Sequence, residues 1–263
     1  MPAALADGLH IAYTDTGGEG GTPLVCLTGW CSSRARYDRF VLLAKQSRRL
    51  ITFDWRGHGD SERPTGDFGL EGQVTDALAV IDAAGLDVFT VASASHSGWV
   101  ATELRRRLGT RVAKIVHMDW LVVEPSEPYL EVIRQLQSDG TWGQARDRLF
   151  EIWQGGVEHV GVSEAIAVMK RQSAEMWMRS GREIEAAYAR DGSPLRALAA
   201  LETTPPVLHV YGQPRDRAYL ERQRAFASAN DWFHVCQVDA TSHFSMVETP
   251  EEAAAAIELF LVG

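Results

Sequence analysis

The sequence predicts an α/β protein: a mostly parallel sheet with helices on both faces and a helical cap inserted between two strands. Three observations predict it. Short apolar runs alternate with amphipathic stretches along the 263 residues, and apolar runs lead through small-residue turns into helices. One stretch, about 125–195, carries no convincing strand pattern. Strands alternating with helices make βαβ units, whose right-handed crossovers place helices on both sheet faces.

Taken in order, the strand candidates are 10–14, 23–28, 49–54, 87–92, 112–118, 206–211 and 233–238. They are rich in Val, Ile, Leu and Phe, as strands buried on both faces are. The helix candidates are 38–46, 69–84, 97–108, 216–229 and 250–262. Pro250 with Glu251 and Glu252 marks a helix start, since proline suits the first turn and acids suit its positive dipole end. Arg105, Arg106 and Arg107 fall late in the 97–108 helix, where cations complement the opposite end. The stretch 125–195 is helix-like and holds Trp142, Trp153 and Trp177; Pro194 and the pair Pro205-Pro206 punctuate the return to the sheet. The whole chain, 1–263, is expected to be one domain with this cap as its insertion.

Composition narrows the function. Hydrophobic residues are 45% and charged residues 23% of the chain, which suffices for a sizeable core under an ordinary soluble surface. A formal net charge of -9 disfavours nucleic acid and anionic membranes as partners. No window of 18 apolar residues predicts a membrane span, and the first residues lack a signal-peptide pattern. Three cysteines, Cys26, Cys31 and Cys236, form no paired framework and have no metal-ligand spacing, so a reduced cytoplasmic setting is expected. Neither H-E-x-x-H nor a Cys/His cluster is present, and no G-x-G-x-x-G follows the first strand, so no metal, cofactor or dinucleotide is expected.

Four segments carry chemistry. In VASASHSGWV, 91–100, an apolar run meets a small-x-Ser-x-small turn centred on Ser95 and then a helix. This is the pattern of a nucleophile elbow, here with Ser93 and Ser97 at the flanks; the backbone N–H of His96 opens the helix, where negative charge is stabilised. FDWRGHGDS, 53–61, resembles the D-x-R-G-x-G-x-S loop of the α/β-hydrolase superfamily, a structural element. In VCLTGWCSS, 25–33, a strand runs into Gly29-Trp30, the loop from which that superfamily donates its second oxyanion-hole N–H; Trp30 is the donor by position. In DATSHFSMVETPEE, 239–252, His243 follows the last strand and precedes the last helix, the superfamily's place for its base. For the acid, Asp119 stands at the C-terminal end of strand 112–118, where ligands of open sheets bind, while Asp216 follows strand 206–211 slightly late; position favours Asp119.

Together these residues resemble one branch of the superfamily, the cofactor-free 3-hydroxy-4(1H)-quinolone 2,4-dioxygenases. The resemblance rests on Trp30-Cys31, Asp54-Trp55-Arg56-Gly57-His58, Ser95-His96 with Trp99, and Asp119-Trp120. It is most specific in the cap segment 175–195, and continues through 212–219, Trp232-Phe233-His234 and Thr241-Ser242-His243-Phe244. Ser97 stands where many relatives carry Gly, and Ser32 where some carry a larger polar residue or His. The resemblance implies oxygenolytic ring opening of a small aromatic heterocycle by dioxygen without metal or flavin, releasing carbon monoxide and an N-acylanthranilate. It implies that His243, supported by Asp119, takes the proton of the substrate 3-hydroxyl while Ser95 hydrogen-bonds the substrate. The N–H groups of Trp30 and His96 then hold the charged oxygen, and Trp153 resembles the family's pocket tryptophan. Trp30, Trp153 and Trp177 are the expected substrate walls, since a planar bicycle wants aromatic surfaces. The 2-substituent (hydrogen, methyl or long alkyl) and the oligomeric state stay open; a long-alkyl substrate would make the protein a quencher of a bacterial signal.

Two other functions fit the same residues. A serine hydrolase would use Ser95 as acylated nucleophile with His243 and Asp119. A non-catalytic small-molecule receptor on the same fold is the third, since fold alone does not settle function.

Overall fold

A computed structural model describes residues 2–263. The chain opens with a hairpin of β1 (Ala3–Ala6) and β2 (Leu9–Asp15), joined by Asp7-Gly8, both in the left-handed region with φ of 50° and 81°. Asp-Gly suits such a two-residue turn because its twist matches that of the flanking strands. β1 is not among the strand candidates: three alanines and Leu5 make too short an apolar run, and only Asp7-Gly8 marks the hairpin.

The remaining strands are β3 (Gly21–Leu27), β4 (Arg48–Phe53), β5 (Phe89–Ala94), β6 (Val112–Met118), β7 (Val207–Tyr211) and β8 (Phe233–Gln237). They form one eight-stranded sheet in the order β1-β2-β4-β3-β5-β6-β7-β8. The β1–β2 and β2–β4 pairings are antiparallel and the rest are parallel. The candidate at 87–92 starts too early, because Asp87 and Val88 still belong to the turn before β5. Leaving β3, the chain pairs β4 on one side and later β5 on the other, so a crevice opens at the C-terminal ends of β3 and β5.

Helices cover both faces. On one side lie α1 (Asp38–Ala44) and α11 (Pro250–Val262); Phe40 and Ile257 pack there against Leu24, Cys26, Val116 and Leu208. On the other lie α2 (Leu70–Ala83), α3 (Ser97–Leu108) and α9 (Arg217–Ala229), over Val25, Leu27, Ile115 and Val207. Val25 and Cys26 thus point to opposite cores, as the period of two requires. Arg105 is buried and donates from Nη1 to Gly109 O (2.6 Å) and Val112 O (2.8 Å), closing the carbonyl end of α3. Arg106 and Arg107 pair on the surface with Glu103 and Glu71.

Between β6 and β7 the chain forms α4 (Glu127–Gln135), α5 (Trp142–Gln154), α6 (Val160–Lys170), α7 (Ala174–Asp191) and α8 (Pro194–Ala199). The strandless stretch read from sequence is therefore helical and runs a few residues further than 195. A short helix, α10 (Ser245–Glu248), was not foreseen; its four residues are too few for a periodic signal.

Gly98, in the first turn of α3, shows how tightly the elbow is packed. A β-carbon there would overlap the ring of Trp120, which is itself buried and edge-on to Trp99 at 5.0 Å. Gly98→Ala is expected to destabilise the fold by about 1–3 kcal/mol, the usual range for overpacking. A thermal melt at unchanged buffer checks this; an unshifted midpoint would show that Trp120 can move aside.

Candidate active site

The strand-to-helix turn after β5 holds Ser95 at φ 55°, a left-handed conformation that strains any residue with a β-carbon. Two contacts hold it there. Ser95 N donates to Met118 O (2.8 Å), and the Ser97 hydroxyl bridges Ala94 O (2.9 Å) and Leu27 O (3.0 Å) while accepting from Ala94 N (2.9 Å). Ser97 thus uses its hydroxyl to tie the elbow to β3, which a glycine at this position would leave undone. Ser93, the other flank, contacts His117 Nδ1 at 2.7 Å beneath the sheet.

The loop after β3 approaches the elbow from the side. Gly29 eases this close approach, since a β-carbon would press on Ala94 O at 3.3 Å and touch the Ser95 side chain at 3.5 Å. Cys31 sits at φ 62°, and its N–H donates to His58 Nε2 (3.0 Å). His58 Nδ1 lies 3.0 Å from Arg56 O, so the imidazole is neutral with its proton on Nδ1. Burial pushes its pKa down to about 4, which keeps Nε2 an acceptor at neutral pH. The Arg-Gly-His turn therefore acts as a strut that fixes the backbone around Trp30. Trp55 Nε1 donates to Thr28 O (2.7 Å) and completes the strut.

His243 lies in the loop between β8 and α10. Its ring stacks on Trp153 of α5 (5.2 Å, 19°), and its backbone N–H donates to Trp153 O (2.7 Å). Nε2 faces Ser95 Oγ at 3.4 Å. Desolvation first, then the charge of Arg36, push its pKa well below the usual 6.5, so the ring is a neutral base at pH 7.

Asp119 ends β6 at φ 48°, fully buried. Its carboxylate accepts from Ser245 Oγ (2.8 Å), Ser245 N (2.9 Å) and Gly212 N (3.2 Å), and Arg36 Nη2 stands 3.6 Å away. Burial raises its pKa, while Arg36 and these donors oppose the rise. Among the described residues no hydrogen bond joins Asp119 to His243; its oxygens accept from Ser245 and Gly212 instead. Asp216, the alternative acid, is exposed and caps α9 by accepting from Ala218 N (3.0 Å).

Sequence reasoning used His96 only for its backbone. Its ring, however, lies between Ser95 Oγ (3.1 Å from Nδ1) and the hydroxyl of Tyr129 on α4 (3.1 Å from Nε2). Burial lowers its pKa to about 3, leaving it neutral with one nitrogen to donate and one to accept. Ser95 Oγ thus stands between two imidazoles. Arg36 was also missed. It belongs to a short 3-10 turn, Arg34–Tyr37, and its side chain is only 4% exposed. Nothing in its local sequence separates it from the surface arginines around it.

Arg36, Ser95, His96 and His243 line one cavity. Trp30, Trp153 and Trp177 give it aromatic walls; Ile133, Leu136 and Ile184 of the inserted helices close it. His159 lies elsewhere, capping α6 by accepting from Val162 N (3.3 Å). Among the described residues no group of three or more His, Cys, Asp or Glu could hold a metal ion, and no helix is long and apolar enough to cross a membrane.

Known proteins bear on this cavity. Residues 24–256 match the alpha/beta hydrolase family. Over 263 residues the chain is 31% identical to the 1H-3-hydroxy-4-oxoquinoline 2,4-dioxygenase of Pseudomonas putida, covering 99% of each chain. It is 33% identical over 235 residues to a 2-heptyl-3-hydroxy-4-quinolone dioxygenase of Rhodococcus erythropolis, covering 89% of this chain and 84% of that one. A solved structure concerned with recognition and ring-cleavage of the Pseudomonas quinolone signal, in complex with its product, superposes with a TM-score of 0.95 at 29% identity over 100% of both chains.

Proposed function

The chain belongs to the alpha/beta hydrolase family, in its 3-hydroxy-4-quinolone 2,4-dioxygenase branch, and from that premise we propose how its residues open the ring. The protein is a ring-cleaving dioxygenase of a 3-hydroxy-4(1H)-quinolone. The observation that carries this is similarity along the whole chain to such enzymes, joined to an aromatic cavity with a neutral histidine at its floor.

In our reading His243 Nε2 removes the proton of the substrate 3-hydroxyl. The resulting anion is electron-rich enough to reduce dioxygen itself, so the chemistry calls on no metal or flavin. One oxygen atom bonds to C2 and the other to C4. The C2–C3, C3–C4 and O–O bonds break, and C3 leaves with its own oxygen as carbon monoxide. The N-acylanthranilate product is a carboxylate at neutral pH, so one proton is released per turnover. The N–H groups of Trp30 and His96 face the charge that develops on oxygen, where fixed donors act most strongly. In the same reading the buried negative charge of Asp119 steadies the imidazolium once formed, without a hydrogen bond to it. The apolar wall of Ile133, Leu136 and Ile184 suits an alkyl 2-substituent. The free, buried Cys26 and Cys31 fit a reducing cytoplasm.

Ser95 separates this reading from a serine hydrolase. Its hydroxyl is shared by two imidazoles, at 3.1 Å and 3.4 Å, as a hydrogen-bonding group can be. Losing one such bond costs about 0.5–3 kcal/mol, so Ser95→Ala is expected to slow quinolone turnover about 2- to 150-fold. An acylated nucleophile would lose orders of magnitude more. The assay follows quinolone absorbance and oxygen consumption, with 2-H, 2-methyl and 2-heptyl substrates and an ester alongside. A wild type that hydrolyses the ester and consumes no oxygen would overturn the proposal.

A further inference from the structure

We propose that Arg36 is the cationic wall of the substrate cavity, the counter-charge for the anion formed there and for the carboxylate of the product. The inference deepens the dioxygenase reading and rests on it.

Arg36 lines the cavity with Ser95, His96 and His243. Its guanidinium lies over the Phe244 ring at 5.2 Å, which holds a cation without consuming its donors. Nη2 reaches His243 O at 3.4 Å and stands 3.6 Å from Asp119, longer than a direct charged hydrogen bond. Asp119 takes its hydrogen bonds from Ser245 and Gly212, three donors in all, and needs Arg36 for charge and not for a hydrogen bond. Arg36 Nε is buried and has no partner. Buried donors are almost always satisfied, and an orphaned one on a side chain that lines a cavity marks that side chain as able to take a ligand acceptor.

Counting charge gives the acceptor its sign. Before the reaction Asp119 and Arg36 cancel. When His243 takes the substrate proton, imidazolium and substrate anion also cancel, and the site stays neutral at this step. Without Arg36 the anion would form beside an uncompensated buried carboxylate. At the end His243 has released its proton and the product keeps a carboxylate, so the site is one negative charge in excess and the product shares with Asp119 the one cation of the lining, Arg36. The group should therefore favour the carboxylated product over any neutral molecule of the same shape.

The test compares N-acetylanthranilate with its uncharged carboxamide, N-acetylanthranilamide, by calorimetry on the intact protein. Wild type is expected to bind the carboxylate at least about tenfold more tightly. Arg36→Gln should weaken the carboxylate about 10- to 100-fold, the loss of a charged hydrogen bond, and leave the carboxamide within about threefold; Arg36→Lys should recover most of the difference. Mixed anaerobically with a 3-hydroxy-4-quinolone, Arg36→Gln should show a smaller ionised fraction by absorbance. Equal weakening of both compounds, or of neither, would overturn the proposal. If Arg36→Gln fails to fold, wild type decides: equal affinity for carboxylate and carboxamide sinks the idea. A wild type without oxygen consumption on any 3-hydroxy-4-quinolone would instead sink the dioxygenase reading.

Discussion

His243→Ala is expected to lower ring cleavage about 10²- to 10⁴-fold, the usual worth of a positioned general base. Its neutral form is the base, and both desolvation and Arg36 favour that form. No other imidazole replaces it: His96 Nδ1 and Nε2 face Ser95 and Tyr129. In the proposed mechanism Asp119 acts through His243, so its removal should cost less in rate. Asp119→Asn is the more conservative variant: it keeps the shape and one acceptor oxygen for Ser245 or Gly212, which Asp119→Ala would remove, while both variants leave Arg36 without its counter-charge. Asp216→Ala should leave turnover near wild type, since that carboxylate only caps α9. The measurement is kcat by oxygen consumption, with thermal melts to separate misfolding from lost chemistry. If Asp216→Ala proved as harmful as His243→Ala while Asp119→Asn was silent, the acid assignment would fall.

The second large effect is on stability in mild acid. His58 and His209 are held down to about 4 and His96 to about 3, all chiefly by burial, and His117 and His243 lie well below 6.5. Each is neutral in the folded chain and titrates near 6.5 once unfolded. The sign follows: between the folded and unfolded pKa the unfolded state binds more protons, so stability rises with pH there. The contribution is complete above pH 6.5 and is lost as pH falls towards 4. Each such histidine changes stability by about 1.4 kcal/mol per pH unit in that window. Asp76 and Asp119, whose pKa burial raises, work in the opposite direction at the lower end. Several histidines acting together against a total of about 5–15 kcal/mol make unfolding near pH 5 the expected result. Guanidinium midpoints measured from pH 7.5 to 5 check it, and His209→Gln should flatten the slope. A midpoint independent of pH across that range would contradict the account.

The sheet was legible because its signals are local. β6, α3 and α11 matched their expected spans residue for residue, since apolar runs, small-residue turns and a proline start each act within a few residues. That Ser95, His243, Trp30, Trp153 and Trp177 share one cavity was legible for a related reason: each stands beside a strand end or in the inserted helices, while Asp119 sits outside that lining, on Ser245 and Gly212. What stayed hidden depends on partners far away in the chain. Tyr129 matters through His96, 33 residues off, and Ser245 through Asp119, 126 residues off. Arg36 looked like any surface arginine until Phe244 and Asp119 were placed beside it. The same holds for the missing His243–Asp119 bond, which no spacing in the sequence encodes.

Two hydrogen bonds at Trp153 and its neighbour bear on how substrate enters. His243 N donates to Trp153 O (2.7 Å), and Gln213 Nε2 joins Ile152 O (2.7 Å) to Thr241 O (2.9 Å). The C-terminal end of α5 is thus latched to the very loop that carries the base. Were that corner to swing outward, the imidazole would be dragged from Ser95, and the site would be disarmed whenever it stood open. The arrangement is an interlock. A cavity that reaches Ser95 and His243 runs past Ile152, Trp153 and Gln213, so the residues of the latch are also walls of the site.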